Sequence, residues 1–154
     1  MKKFFYDSPL GKLWIVEKEN QLYSILYNDT IECEISKTTL IENTIIQLSQ
    51  YFNGERKSFD IPVLLEGTEF QKKVWQVLMK IPYGKTVSYA DIAEQIGQPK
   101  ASRAVGSANN KNKIPIIIPC HRVIGKNGKL VGYAGGLDNK EFLLNLEFKY
   151  LQSL

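Results

Sequence analysis

The chain has 154 residues, 44% hydrophobic and 23% charged, which suits one compact unit or two small lobes with a real core. No apolar run approaches the ~18–20 residues of a membrane span, and one histidine with two distant cysteines cannot assemble a metal site of the usual ligand count. The net charge of +4 is uneven: residues 1–67 carry 7 Lys/Arg against 10 Asp/Glu, and residues 68–154 carry 13 against 6, which suits a second part facing a polyanion or simply a basic surface.

In chain order, Met1 to Asp7 brings two lysines and then an acid before any long apolar region. That is no signal peptide, and a cytoplasmic protein is expected, or a nuclear one if the source has a nucleus. Residues 3–7, 12–17 and 22–27 read as three short strands in a meander, joined by turn-like Ser8–Gly11 and Lys18–Gln21. Cys33 lies between Glu32 and Glu34, whose carboxylates disfavour a thiolate, so it reads as a bystander. From about Thr39, apolar residues recur at helical spacing through Phe52, with Thr39 and Glu42 as a capping box and Asn53-Gly54 as the stop. Ile61-Pro62-Val63 reads as a fragment of edge strand. No polar cluster in this part reads as a site.

Thr68, with Gln71 three residues on, opens a helix whose face is Phe70, Val74, Val77, Leu78 and Ile81, with Trp75 expected in the core. Pro82–Lys85 is a turn. Ser88 and Asp91 then cap a short helix that ends at Gly97. Pro99 is expected to start the next helix, which continues through Ala108. Two short helices joined by Gly97-Gln98-Pro99 fit a helix-turn-helix, and equally a helical hairpin that never meets nucleic acid. The second helix is rich in small residues (Ala101, Ser102, Ala104, Gly106, Ser107, Ala108) and bears one long cation, Arg103. Small side chains let a backbone approach a minor groove about 6 Å wide, where little sequence is read.

A polar loop, Asn109–Lys113, leads to Ile114-Pro115-Ile116-Ile117-Ile118-Pro119, read as a short buried strand stopped by proline at both ends. Cys120 and His121 follow. A thiol attacks as its thiolate, and an imidazole beside it can take the proton. A buried structural cysteine is the competing reading. Further on, Asn127-Gly128 is a turn signal between Val123-Ile124 and Leu130-Val131, and Gly132–Gly136 is a glycine-rich loop without the spacing of a phosphate cradle. Asp138 and Glu141 are expected to cap a last helix carrying Phe142, Leu143, Leu146 and Tyr150. By burial statistics alone, Glu147 on that helix reads as a surface residue.

Pro119-Cys120-His121-Arg122-Val123 after an apolar run is similar to the acceptor motif of the 6-O-alkylguanine-DNA alkyltransferases, or methylated-DNA–protein-cysteine methyltransferases. The likeness extends, with its spacing, from about Thr68 to Glu147; the N-terminal part matches loosely. The resemblance implies an α/β (α+β) fold with two domains: residues 1–67, a ribonuclease-H-like scaffold lobe, and residues 68–154, a mostly helical alkyltransferase domain with a winged-helix-like helix-turn-helix. It implies DNA repair by direct damage reversal: one irreversible transfer of an alkyl group from 6-O-alkylguanine, and as a second substrate 4-O-alkylthymine, to Cys120 after the nucleotide is flipped out.

The resemblance also assigns roles. His121 is the base, Glu147 orients it, and Asn112 braces the active-site turn. Tyr89 donates a proton to the leaving base and presses on the target phosphate. Arg103 fills the gap left in the base stack, while Ala101, Ser102, Ala104, Gly106 and Arg122 meet the minor groove of double-stranded DNA. Val123, Tyr133, Ala134 and Gly135 line the base pocket; some relatives have a hydroxyl residue where Ala134 stands. No cofactor and no membrane partner are implied, and a monomer is expected. Some relatives carry a structural zinc in the first lobe, for which this sequence lacks the ligands. Lys85, Lys100, Lys111, Lys113, Lys126 and Lys129 can together neutralise phosphates.

Three other readings stand beside this one. A non-catalytic reader of alkylated DNA would recruit another repair pathway, but such relatives lack the acceptor cysteine that Cys120 supplies. A cysteine hydrolase would need an oxyanion hole. A helix-turn-helix regulator would want base-reading side chains and usually a dimer.

Overall fold

The structure, a computed structural model, describes residues 1–133 and 135–152. The fold is α+β, and the chain divides into two compact units, Met1–Leu65 and Glu66–Gln152.

In the first unit, β1 (Lys2–Ser8), β2 (Gly11–Lys18) and β3 (Gln21–Leu26) form the expected antiparallel meander. A two-residue strand, β4 (Glu34–Ile35), adds parallel to β1, giving the order β3-β2-β1-β4. Two exposed residues carry no alternation, so β4 has no sequence signal. Helix α1 (Thr39–Phe52) buries Ile41, Thr44, Leu48, Tyr51 and Phe52, a stripe at helical spacing, and contacts the sheet. Its cap is Thr38 rather than Thr39: the Thr38 hydroxyl accepts from the Ile41 amide at 3.2 Å. The stop at Asn53 holds, with Gly54 at φ +77°. The edge fragment also forms, since Leu22 pairs through its amide with Pro62 and through its carbonyl with Leu64.

The second unit begins with α2 (Glu69–Leu78), whose N-terminus carries the full Thr68–Gln71 capping box. Trp75 is core, and its indole N–H donates to the Ala108 carbonyl at 2.9 Å. β5 (Val87–Ser88) precedes α3 (Tyr89–Gln95), which starts on the Ser88–Asp91 box, and Gly97 beyond it takes φ +76°. Helix α4 (Ser102–Asn110) contacts both α2 and α3, so the paired helices exist. It starts three residues later than Pro99 would place it: the Ala101 amide closes a turn on the Gln98 carbonyl, and the first helical bond runs from Val105 to Ala101.

Three further expectations need correction. Residues 114–118, buried except for the half-buried Ile117, are a tight turn, not a strand. The Ile117 amide reaches back to Pro115 and that of Ile118 to Ile114, while Ile116 takes φ +74°. A run of branched residues looks the same in either conformation, and the prolines withhold the N–H groups a strand would use. Asn127 and Gly128 do make a turn with positive φ, but Val123–Ile124 (β6) pairs in parallel with β5 instead of with Leu130-Val131. Finally, α5 (Leu137–Tyr150) is not capped by Asp138: its N-cap is Gly136 at φ +93°, and Asp138 lies in the first turn, where its charge suits the helix dipole.

Candidate active site

The acceptor motif forms a single 3-10 turn, Cys120–Arg122, between the tight turn of residues 114–118 and β6. Asn112 holds the tight turn at both ends. Its carbonyl oxygen accepts from the Ile114 amide at 3.0 Å, and its amide donates to the Ile118 carbonyl at 2.8 Å. A side-chain amide thus takes the place of a neighbouring strand.

Cys120 is 4% exposed and His121 and Glu147 are fully buried. The Nε2 of His121 lies 2.7 Å from Oε2 of Glu147. A carboxylate can only accept, so Nε2 carries the proton, and Nδ1 is left as a bare acceptor without a hydrogen-bond partner among the described residues. Burial lowers the imidazole pKa, outweighing the carboxylate that would raise it, so the ring is neutral near pH 7. A neutral ring with a free lone pair is what a general base requires.

Glu147 accepts three more bonds: from Arg122 Nε at 2.9 Å, from Arg122 Nη2 at 3.0 Å, and from the Gly84 amide at 3.0 Å. Burial alone would raise its carboxyl, but the hydrogen bonds of His121 and Arg122 and the guanidinium charge hold it well below the usual carboxylate range. Its burial is therefore a paired burial, which the helix sequence alone could not reveal. Gly84 makes the approach possible: it sits at φ +75°, and a Cβ there would come 2.4 Å from the Leu151 side chain.

Arg122, expected at the DNA surface, is only 6% exposed and is spent internally. Besides gripping Glu147 with two nitrogens, it donates to the Ile81 carbonyl at 2.7 Å and stacks over Tyr83. The reason is Glu147 itself, a buried anion that needs a buried cation.

Burial pushes the Cys120 thiol up to about 11, against the pull of an Asn112 hydrogen bond and the charge of Lys140. At rest the sulfur is protonated. Sequence reasoning missed two neighbours of this group. Lys140, fully buried on α5, was hidden in the polar run Asp138–Glu141, and Asn109 donates its amide toward the Cys120 carbonyl at 3.4 Å. No local signal marks either, because each acquires its role from partners distant in sequence.

Tyr89 is half-buried at the start of α3, and its hydroxyl donates to the Val131 carbonyl at 3.0 Å. Burial raises its pKa, so it is a proton donor at neutral pH. On α4, Arg103 and Ala104 are exposed, while Ser102 and Gly106 are half-buried, as is the capping Ala101. Val123 is buried and presents its carbonyl to Lys140; Tyr133 and Gly135 are half-buried beyond it. Ala134 lies outside the described residues. Among the described residues, no group of three or more His, Cys, Asp or Glu could hold a metal ion, and no helix is long and apolar enough to cross a membrane.

Cys120 and a neutral imidazole stand consecutive on one turn, with a buried carboxylate behind the ring, in a unit that also holds a pair of short helices; this is the class of arrangement that cysteine nucleophiles use. Comparison with known proteins agrees with that class and narrows it. The model of the 6-O-methylguanine DNA methyltransferase DNA binding domain matches residues 69–149, and that of the ribonuclease-like domain of the same proteins matches residues 1–65. The chain is 63% identical to a methylated-DNA–protein-cysteine methyltransferase of Methanosarcina barkeri, with 93% of this chain and 96% of that protein covered. It is 48% identical to the constitutive enzyme of that name from Bacillus subtilis, with 92% of each covered. Among solved structures, Mycobacterium tuberculosis OGT in complex with DNA superposes with a TM-score of 0.90 at 43% identity, covering 97% of this chain and 94% of that one. The chain belongs to the 6-O-methylguanine DNA methyltransferase family.

Proposed function

We propose that this protein repairs DNA by taking an alkyl group from 6-O-alkylguanine in a duplex onto the sulfur of Cys120, once per molecule. One observation carries the reading: an intact acceptor cysteine beside a neutral histidine whose bare Nδ1 is left free by the Glu147 bond. His121 takes the Cys120 proton through one water, its Nδ1 making no direct hydrogen bond to the sulfur. The thiolate sulfur attacks the alkyl carbon, a C–S bond forms and the C–O bond to guanine breaks, and the electron pair leaves on the guanine oxygen. Tyr89 supplies a proton to the departing base once its hydroxyl turns from the Val131 carbonyl. A thioether has no easy way back, so turnover ends there. No cofactor enters the balance.

An alkylated base within a stacked duplex is out of a thiol's reach, so the nucleotide must be rotated out at a cost of a few kcal/mol. The exposed Arg103 on α4 occupies the vacated stack, and the small residues around it let the helix sit in the minor groove. The surrounding lysines supply phosphate attraction. The protein works as a cytoplasmic monomer in two domains, residues 1–67 serving as scaffold and 68–154 holding the site. The cysteine argues against the non-catalytic reader.

Incubation with a duplex oligonucleotide carrying one 6-O-methylguanine is expected to add about 14 Da, one CH2, to the intact protein at Cys120. Cys120→Ser should gain nothing and still bind the duplex. An unchanged mass in the wild type, or a gain at Cys33, would refute the reading.

A further inference from the structure

The segment from Ile81 to Gly84 carries no chemical motif, yet each of its buried residues touches the Arg122–Glu147 pair. The Ile81 carbonyl accepts from Arg122 Nη1 at 2.7 Å, and the Gly84 amide donates to Glu147 Oε1 at 3.0 Å. Between them the buried Tyr83 ring lies against the guanidinium, with Arg122 Cζ 5.6 Å from the ring centroid. The hydrogen bonds occupy the edges of the guanidinium, since Nε and Nη2 go to Glu147 and Nη1 goes to Ile81. What the bonds leave over is its flat face, and guanidinium groups stack well on aromatic rings.

We propose that Tyr83 is a positioning residue for alkyl transfer: by covering the guanidinium face it holds Arg122 on Glu147, and through Glu147 it keeps the His121 imidazole oriented and dry. The inference rests on His121 serving Cys120 as base. Tyr83 acts through Arg122, and its effect is read at the imidazole. In the folded protein, burial lowers the His121 pKa more than Glu147 raises it. Without the ring, water reaches Arg122 and Glu147, both influences relax, and the imidazole returns toward its ordinary value of about 6.5.

The other groups around this cluster keep their charge between about pH 5.5 and 7.5. Glu147 is held well below that range by His121 and Arg122. Burial lowers Lys140 on α5 only to about 8 and pushes Cys120 up to about 11. Arg122 is a permanent cation. Burial raises Tyr83 itself, which stays protonated, and Tyr150 faces it from the end of α5 as a neutral phenol. Over this range the group that titrates is His121.

His121 is the only histidine in the chain, so its ring gives one set of imidazole signals. The test is its titration by nitrogen NMR in wild type, Tyr83→Phe and Tyr83→Leu. Alongside it runs the rate of mass gain with excess duplex carrying one 6-O-methylguanine. In wild type and Tyr83→Phe, which keeps the ring, the imidazole is expected to stay neutral below pH 6.5. In Tyr83→Leu it should take its proton near 6.5. The leucine rate should then be within about twofold of wild type at pH 7.5 and about tenfold lower at pH 5.5, as one pKa unit requires. Tyr83→Met is read in the same way should the leucine variant not fold. A loss equal at every pH would mark a merely structural side chain and overturn the proposal. An imidazole titration unmoved by loss of the ring, or a Tyr83→Phe protein that behaves like Tyr83→Leu, would overturn it too, as would a wild-type ring that titrates at 6.5. No mass gain in wild type would refute the acceptor reading, while the NMR titration, which needs no substrate, still decides whether Tyr83 holds the imidazole.

Discussion

Arg122 is the residue on which two accounts of this site divide. As a phosphate contact it would be dispensable for folding; as the internal partner of Glu147 it is not. The structure supports the second account, with two of the three guanidinium nitrogens on the carboxylate and the third on the Ile81 carbonyl. Removing one member of a buried ion pair strands the other in a poor dielectric, at about 3–5 kcal/mol. Arg122→Ala is therefore expected to lower the unfolding free energy by about that amount in urea titrations. The affinity of the folded protein for undamaged duplex should change little. A stable variant with weakened DNA binding would restore the surface role.

At the scale of elements, α4 combines two demands that pull against each other. Glycine within a helix costs about 0.5–1 kcal/mol relative to alanine. Nothing in the protein forces it at Gly106, since a Cβ there would make only ordinary contact with the Tyr89 ring, at 3.8 Å. Gly106→Ala is expected to raise thermal stability by a few degrees for a unit of this size. It should weaken duplex binding if closeness of approach is what the glycine serves. Equal binding in a titration would detach the small residues of α4 from the groove.

The same scale shows what could be read without coordinates. The capping boxes at Thr68 and Ser88 and the strands of the meander are local codes, and they hold. The branched run at 114–118 failed because burial is visible in composition but backbone direction is not. The informative residue was Asn112, two positions before it, whose amide closes the turn. Glu147, Arg122 and Lys140 were misjudged or missed for one reason: a charged side chain looks solvated until its partner, 9 to 63 residues away, is known. Their roles belong to tertiary structure. The Cys-His dipeptide was legible only through a resemblance, since no local rule separates it from a structural cysteine.

For the whole molecule, the buried acid–base cluster sets the response to pH. His121 has a lowered pKa in the folded state, so on acidification the unfolded chain binds its proton first, and stability falls as pH drops below about 6.5. Glu147 is held low as well, so its contribution is present above the unfolded value of about 4.3 and is lost below it. Both signs agree. The unfolding free energy is expected to decline in two stages between neutrality and pH 3, measured by denaturant titration at each pH. A stability that stays flat down to pH 5 would mean that the imidazole is already charged when folded.

Glu147 collects its partners from Gly84, His121 and Arg122, and it stands on the last helix of the described chain. During synthesis on the ribosome, Cys120 and His121 are joined to the chain before that helix is. Until it docks, the imidazole has no carboxylate to fix its tautomer and the thiol is an ordinary one. The acid–base cluster is thus assembled only after translation has passed the residue that completes it.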